Sequence, residues 1–177
     1  ILFVDGGGQY RMTARAIERA GFPAIYMTGG GSASYLGYPD YGLLTMTEMA
    51  DNAGRIATAI SLPVIADADT GYGNELNAIR TVREYEKRGV AGIHIEDQGF
   101  PKKCGHLEDK TIASLEDYVA KIRAAVSAKV DKDFVIIART DSRAVLGFEE
   151  AIRRRPHSWL WLHDRWKGAP EGRAAGD

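Results

Sequence analysis

The stretch that decides the fold is PVIADADTGYGNELNAIRTVREYEKRGVAGIHIEDQ, residues 63–98. It opens on a short apolar run, Pro63–Ala66, with no polar alternation. That pattern predicts a strand buried on both faces. A turn-rich loop follows over 67–74. Ala78–Lys87 has helical spacing, and Gly89 stands where a helix-terminating glycine is expected. A second apolar run, Ala91–Ile95, then begins a new strand. Strand, helix and strand in that order form the crossover unit that joins parallel strands.

The same period extends in both directions. Towards the N-terminus, Ile1–Val4 reads as a strand, followed by glycines 6–8. Tyr10–Ala20 reads as a helix with Met12, Ala16, Ile17 and Ala20 on one face. Ala24–Met27 reads as a strand, followed by a long polar, Gly-rich loop through Asp40. Thr47–Ile60 has helical spacing, with Met49, Ala53, Ile56 and Ile60 apolar. Towards the C-terminus, Ser114 with Asp117 three residues on predicts a capped helix to Lys129. Phe134–Ala138 is a strand, and Phe148–Arg154 begins a helix. Five strand–helix units predict an α/β fold with helices packed outside a parallel sheet. An open doubly wound sheet and a (β/α)8 barrel both fit the alternation. A barrel normally takes about 250 residues, and this chain has 177.

Composition narrows the possible functions. The 23 basic and 24 acidic side chains give a net charge of -1, without the electrostatic footprint of a nucleic-acid binder. Hydrophobic residues make up 45%, enough for a globular core. No apolar run approaches the roughly 20 residues of a membrane span. A single cysteine excludes an internal disulfide framework and fits a reducing cytoplasm, the expected location. The chain does not begin with Met, so residues upstream are expected. Its last 23 residues differ in character: Arg153, Arg154 and Arg155 run into Pro156, and all three tryptophans fall at 159, 161 and 166. We expect a partial barrel domain over 1–154 and a divergent, irregular tail over 155–177, where the native continuation is replaced.

The polar residues of interest follow successive strands. Asp40 lies in the loop after Ala24–Met27, and Asp67 and Asp69 follow Pro63–Ala66. Glu96 and Asp97 follow Ala91–Ile95, and Arg139 and Asp141 follow Phe134–Ala138. In parallel α/β folds these positions share the C-terminal edge of the sheet, where ligands bind. Asp67 and Asp69 project to one side if the backbone stays extended; His94 and Glu96 share a side of their strand. Any one acid alone is better explained as a cap or a solvated charge. Acids after three successive strands point instead to a hard divalent cation, Mg²⁺ first and Mn²⁺ in its place. Lys102-Lys103-Cys104-Gly105-His106 places a thiol directly after two lysines, with a histidine two residues on. Such a thiol can have a lowered pKa and can move a proton near neutral pH. Its long Gly- and Pro-containing loop suits a mobile lid. Thr28-Gly29-Gly30-Gly31-Ser32 offers amides that could cradle a carboxylate or phosphate. Arg139 could clamp a carboxylate, or serve equally as a structural ion pair.

Together DADTGYGN at 67–74, GIHIEDQ at 92–98, KKCGH at 102–106, the segment 26–31 and IARTD at 137–141 resemble the isocitrate lyase/phosphoenolpyruvate mutase superfamily. The resemblance covers about residues 1–154 and looks like the short 2-methylisocitrate and 2,3-dimethylmalate lyase branch. It implies a (β/α)8 TIM barrel, of which this chain holds about the first five units. It implies a Mg²⁺-dependent carbon–carbon lyase acting on an α-hydroxy di- or tricarboxylate through an enolate. Asp67, Asp69 and Glu96 match the metal site, with Asp40 close by. Cys104 matches the catalytic cysteine that protonates the enolate, and Lys102 and His106 share its gating loop. Arg139 matches the arginine that grips substrate carboxylate, and Tyr26, Thr28, Gly29 and Gly30 the carboxylate-binding segment. Gly6–Arg11 departs from the family pattern, with Tyr10 where an acid is expected. Family members are often homo-oligomers through exchanged C-terminal helices, which have no counterpart here. The rival readings are a phosphonate mutase, an oxaloacetate hydrolase or decarboxylase, and a fragment with an incomplete site.

Overall fold

The computed structural model describes residues 11–99, 102–104, 109–147, 149 and 151–152. Four strands form one parallel sheet: β1 (Ile25–Met27), β2 (Val64–Asp67), β3 (Gly92–Glu96) and β4 (Val135–Arg139). They are hydrogen-bonded in chain order, β1-β2-β3-β4. The register sets Asp67 beside His94 and Glu96 beside Arg139. The intervening helices are α1 (Arg11–Arg19), α2 (Gly29–Tyr35), α3 (Met46–Ala57), α4 (Glu75–Lys87), α5 (Leu115–Ala128) and α6 (Ser142–Leu146). α1 packs on α3, α3 on α4 and α4 on α5, so consecutive helices share one side of the sheet. A doubly wound sheet reverses its strand order at a switch point and carries helices on both faces. Consecutive strand order with a single helical layer is instead the arrangement of a barrel wall.

The core lies between sheet and helices. Met27, Ile56, Val64, Ala66, Ala78, Val82, Tyr85, Ile93 and Ile95 are all buried there. Every residue of β3 is buried, as its continuous apolar run predicts. β4, one of the two edge strands among those described, is less covered, and Val135 is half-exposed.

The element boundaries shift for identifiable reasons. α4 begins at Glu75 rather than Ala78, because Asn74 Oδ1 accepts from the Leu76 and Asn77 amides. The Asn77 side chain returns the bond to Asn74 N–H, a reciprocal cap. α3 begins at Met46 behind a capping box of Thr45 and Glu48, and ends at Ala57, short of Ile60. Ser114 caps α5 by accepting from Asp117 N–H. The polar loop expected over 28–40 contains α2, whose N-cap Thr28 Oγ1 accepts from Gly31 N–H at 2.8 Å. Three successive glycines argue against a helix by propensity; the cap and the close packing of Gly29 against Asp67 override it. The short α6 is likewise absent from the sequence expectation. The expected strand Ile1–Val4, residue Tyr10 and the tail over 155–177 lie outside the described residues, as does most of Phe148–Arg154. Among the described residues no helix is long and apolar enough to cross a membrane.

Candidate active site

Three of the sequence-predicted residues end consecutive strands. Asp67 closes β2, Glu96 closes β3 and Arg139 closes β4. The parallel register therefore lifts them to one edge, and Thr28 and Gly29 join from the end of β1. Gly29 N–H donates to Asp67 Oδ2 at 3.0 Å. A Cβ at Gly29 would lie 2.6 Å from Asp67 Oδ2, so only glycine permits this approach. A Cβ at Gly30 would likewise meet Asp40 Oδ2 at 2.9 Å. The two glycines thus let α2 settle against the acids.

Asp69 reaches the cluster by a route the sequence reading did not foresee. Its φ is +46°, left-handed rather than extended. Its N–H donates to Asp67 Oδ1 at 2.9 Å, and its carbonyl accepts from Glu96 N–H at 2.8 Å. The chain turns back at Asp69 and stitches the end of β2 to the end of β3. Aspartate tolerates this conformation better than most residues.

Lys102 is the largest departure from expectation. It is buried, and its Nζ lies 2.8 Å from both Asp40 Oδ1 and Asp69 Oδ1. Burial opposes its charge, but Asp69 and Asp67 hold the ammonium well above the usual lysine range. The two ammonium groups that precede Cys104 are both engaged elsewhere. Lys102 faces the acids, and Lys103 Nζ donates to the Asp109 carbonyl at 3.1 Å. Cys104 is itself partly buried, and its N–H donates to the Asp40 carbonyl at 3.1 Å. His106 lies outside the described residues.

The electrostatics follow from burial. Asp69 is pushed up to about 6, by burial first and the Asp67 charge second, against the pull of Lys102. Glu96 is pushed up to about 8 by burial, against Arg139 and Lys102. Asp67, although fully enclosed, is held below the usual carboxylate range by His94, Lys102 and the Asp69 amide. Arg139 Nη1 approaches Glu96 Oε2 at 3.4 Å, and its Nε lies 3.2 Å from Asp141 Oδ1. The guanidinium thus serves as a structural ion pair while a third of its side chain stays exposed.

His94 also belongs to the cluster. Its Nε2 contacts the Tyr26 hydroxyl and lies 3.4 Å from Asp67 Oδ1, and the Tyr26 and His94 rings stack at 5.4 Å. Burial pushes the imidazole below its ordinary value and the phenol above its own. The available signal was its place two residues before Glu96, on the same side of the strand.

A family model described as phosphoenolpyruvate phosphomutase matches residues 11–157. The chain belongs to the phosphoenolpyruvate mutase/isocitrate lyase superfamily. It is 57% identical over 154 residues to 2,3-dimethylmalate lyase of Eubacterium barkeri, covering 86% of this chain and 53% of that one. This superfamily member therefore spans about half the length of the curated relatives it matches. A solved structure of oxaloacetate acetylhydrolase with 3,3-difluorooxalacetate superposes with a TM-score of 0.78 at 47% identity, over 81% of this chain and 50% of that one. Phosphonopyruvate hydrolase with oxalate and Mg²⁺ superposes with a TM-score of 0.76 at 35% identity, over 82% and 50%.

The donors present suit a hard divalent cation. They are carboxylate oxygens, and the buried Glu96 Oε1 has no hydrogen-bond partner among the described residues. Asp69 Oδ1 has only the Lys102 ammonium beside it. Among the described residues no three His, Cys, Asp or Glu side chains stand in chelating arrangement. Asp67, Asp69 and Glu96 share the mouth, with the lysine between Asp69 and Asp40.

Proposed function

We propose that this chain carries the catalytic mouth of a carbon–carbon lyase that cleaves an α-hydroxy di- or tricarboxylate of the 2-methylisocitrate or 2,3-dimethylmalate kind. The observation that carries the reading is the meeting of buried acids with Arg139 at the ends of β2, β3 and β4, with Cys104 tethered to the same mouth through Asp40. Asp67, Asp69 and Glu96 would hold Mg²⁺, or Mn²⁺ in its place. The cation supplies Lewis-acid stabilisation of the negative charge that develops next to a carboxylate during cleavage. The chain's own groups do the rest. Arg139, one-third exposed, offers a planar fork to a substrate carboxylate. The Gly29 and Gly30 segment and Tyr26 border the same space. Cys104 delivers a proton to the enolate carbon once the carbon–carbon bond has broken. Lys102 holds Asp40 and Asp69 close together before substrate arrives.

The test is product analysis with Mg²⁺ and four acids: 2-methylisocitrate, 2,3-dimethylmalate, oxaloacetate and phosphonopyruvate. Cleavage of either of the first two, lost for the most part in Cys104→Ser, is the expected outcome. Oxalate and acetate from oxaloacetate would instead favour the hydrolase reading, which the similarity to oxaloacetate acetylhydrolase supports. Turnover of phosphonopyruvate that survives Cys104→Ser would favour the mutase reading. A folded chain that turns over none of these acids refutes the catalytic reading.

A further inference from the structure

We propose that Gln98 is a positioning residue that sets the backbone carrying Cys104 and ties it to Arg139; this rests on the lyase reading above. Gln98 follows β3 and is 2% exposed. Its backbone is fixed by an antiparallel bridge to Ile112, and its neighbour Gly99 donates to the Thr111 carbonyl at 2.7 Å. The side chain is therefore aimed by a rigid base.

That side chain uses its amide fully. Nε2 donates to the Lys103 carbonyl at 2.9 Å and to Asp141 Oδ2 at 2.7 Å. Oε1 accepts from Lys103 N–H at 3.0 Å. Both backbone polar groups of Lys103 are thus captured by one amide, as a neighbouring strand would capture them. The next residue is held from the other side, Cys104 N–H donating to the Asp40 carbonyl. Asp141 continues the path: its carboxylate lies 3.2 Å from both Nε and Nη2 of Arg139. Hydrogen bonds thus run from the backbone of Lys103, the residue before Cys104, through Gln98 and Asp141 to Arg139.

The amide orientation is decided by its surroundings. Rotated by 180°, Oε1 would face the Lys103 carbonyl and the Asp141 carboxylate, and Nε2 the Lys103 N–H, three repulsive contacts. The position needs two donors and one acceptor on a stem of this length. Glutamate lacks the donors and sets a second charge beside Asp141; methionine has the length and no hydrogen bonds.

Cys104 is the sole cysteine of the chain, so its position can be read directly by alkylation. The experiment compares wild type with Gln98→Met and Gln98→Glu, with thermal melts showing which variants are folded. Iodoacetamide reaction rates at Cys104 are expected to change about tenfold or more, with kcat falling about tenfold to a hundredfold and KM within a few-fold. Amide exchange in wild type gives a reading that needs no variant: the Lys103 and Cys104 N–H groups are expected to be protected. Unprotected amides overturn the proposal, as does a folded Gln98→Met with wild-type alkylation and wild-type kcat. Altered alkylation in a chain without lyase turnover would support Gln98 as the residue that places Cys104 and refute the proposed function alone.

Discussion

Replacing Lys102 by Met tests how the acid cluster is held together. Methionine keeps the length of the side chain and removes its charge. The lysine is buried and lies 2.8 Å from one oxygen each of Asp40 and Asp69. Removing one partner of a buried ion pair costs about 3–5 kcal/mol, because the remaining charge is left without compensation. Asp69 is enclosed and bears that cost, whereas the Asp40 side chain is 24% exposed and rehydrates in part. The lower end, about 3 kcal/mol, is therefore expected. For a chain of 177 residues that corresponds to roughly 6–12 °C in Tm. The assay is a calorimetric melt in chelator and again in excess Mg²⁺. The variant is expected to regain more from Mg²⁺ than wild type does, because a cation held by Asp69 restores the missing positive charge. A variant that melts within about 2 °C of wild type in chelator would refute the ion-pair argument. Equal Mg²⁺ increments in both proteins would refute the link between lysine and metal.

Four further predictions concern Gly29 and Tyr85, which touch Asp67, and the cap of α3. Gly29→Ala drives a Cβ to 2.6 Å from Asp67 Oδ2, so the carboxylate must leave the Gly29 amide. A loss of roughly 1–3 kcal/mol in urea unfolding is expected, and an unchanged midpoint would show that α2 does not pack as described. Tyr85→Phe removes the hydroxyl that donates to the buried Asp67 carbonyl at 3.0 Å, for about 1–3 kcal/mol; a more stable variant would contradict this. At the start of α3, Thr45→Ala is expected to cost about 1 kcal/mol of cap energy. Glu48 accepts from the Thr45 amide and hydroxyl, which lowers it from its ordinary 4.5. Its charge therefore stabilises the fold at neutral pH, and that contribution is lost as pH falls through the lowered folded value. Melts of wild type and Glu48→Gln are expected to differ at neutral pH and converge in acid; divergence in acid would reverse the sign.

Much of this was legible from residue order. Continuous apolar runs at 63–66 and 91–95 named their strands, because a strand buried on both faces has no polar side. Ser114 and Gly89 marked helix ends through local bonding rules. Placing Asp67, Glu96 and Arg139 after successive strands located the mouth, since parallel strands bring their C-terminal ends to one edge. α2 is hidden from the sequence, because its glycines are disfavoured in helices and are there for contact with Asp40 and with Asp67, which is 38 positions beyond Gly29. Sequence also put Lys102 beside Cys104, where adjacency suggested a charge acting on the thiol. The tertiary structure sends that charge to Asp40, 62 positions away, because buried carboxylates attract it more strongly than a neighbouring thiol does. The role of Gln98 is not legible in its motif, because its partners at 103 and 141 meet it only once the chain has folded. Periodicity and local caps determine the order of strands and helices from within a few residues. Which side chains meet at the mouth depends on long-range burial and charge pairing, and these exist only once the chain has folded.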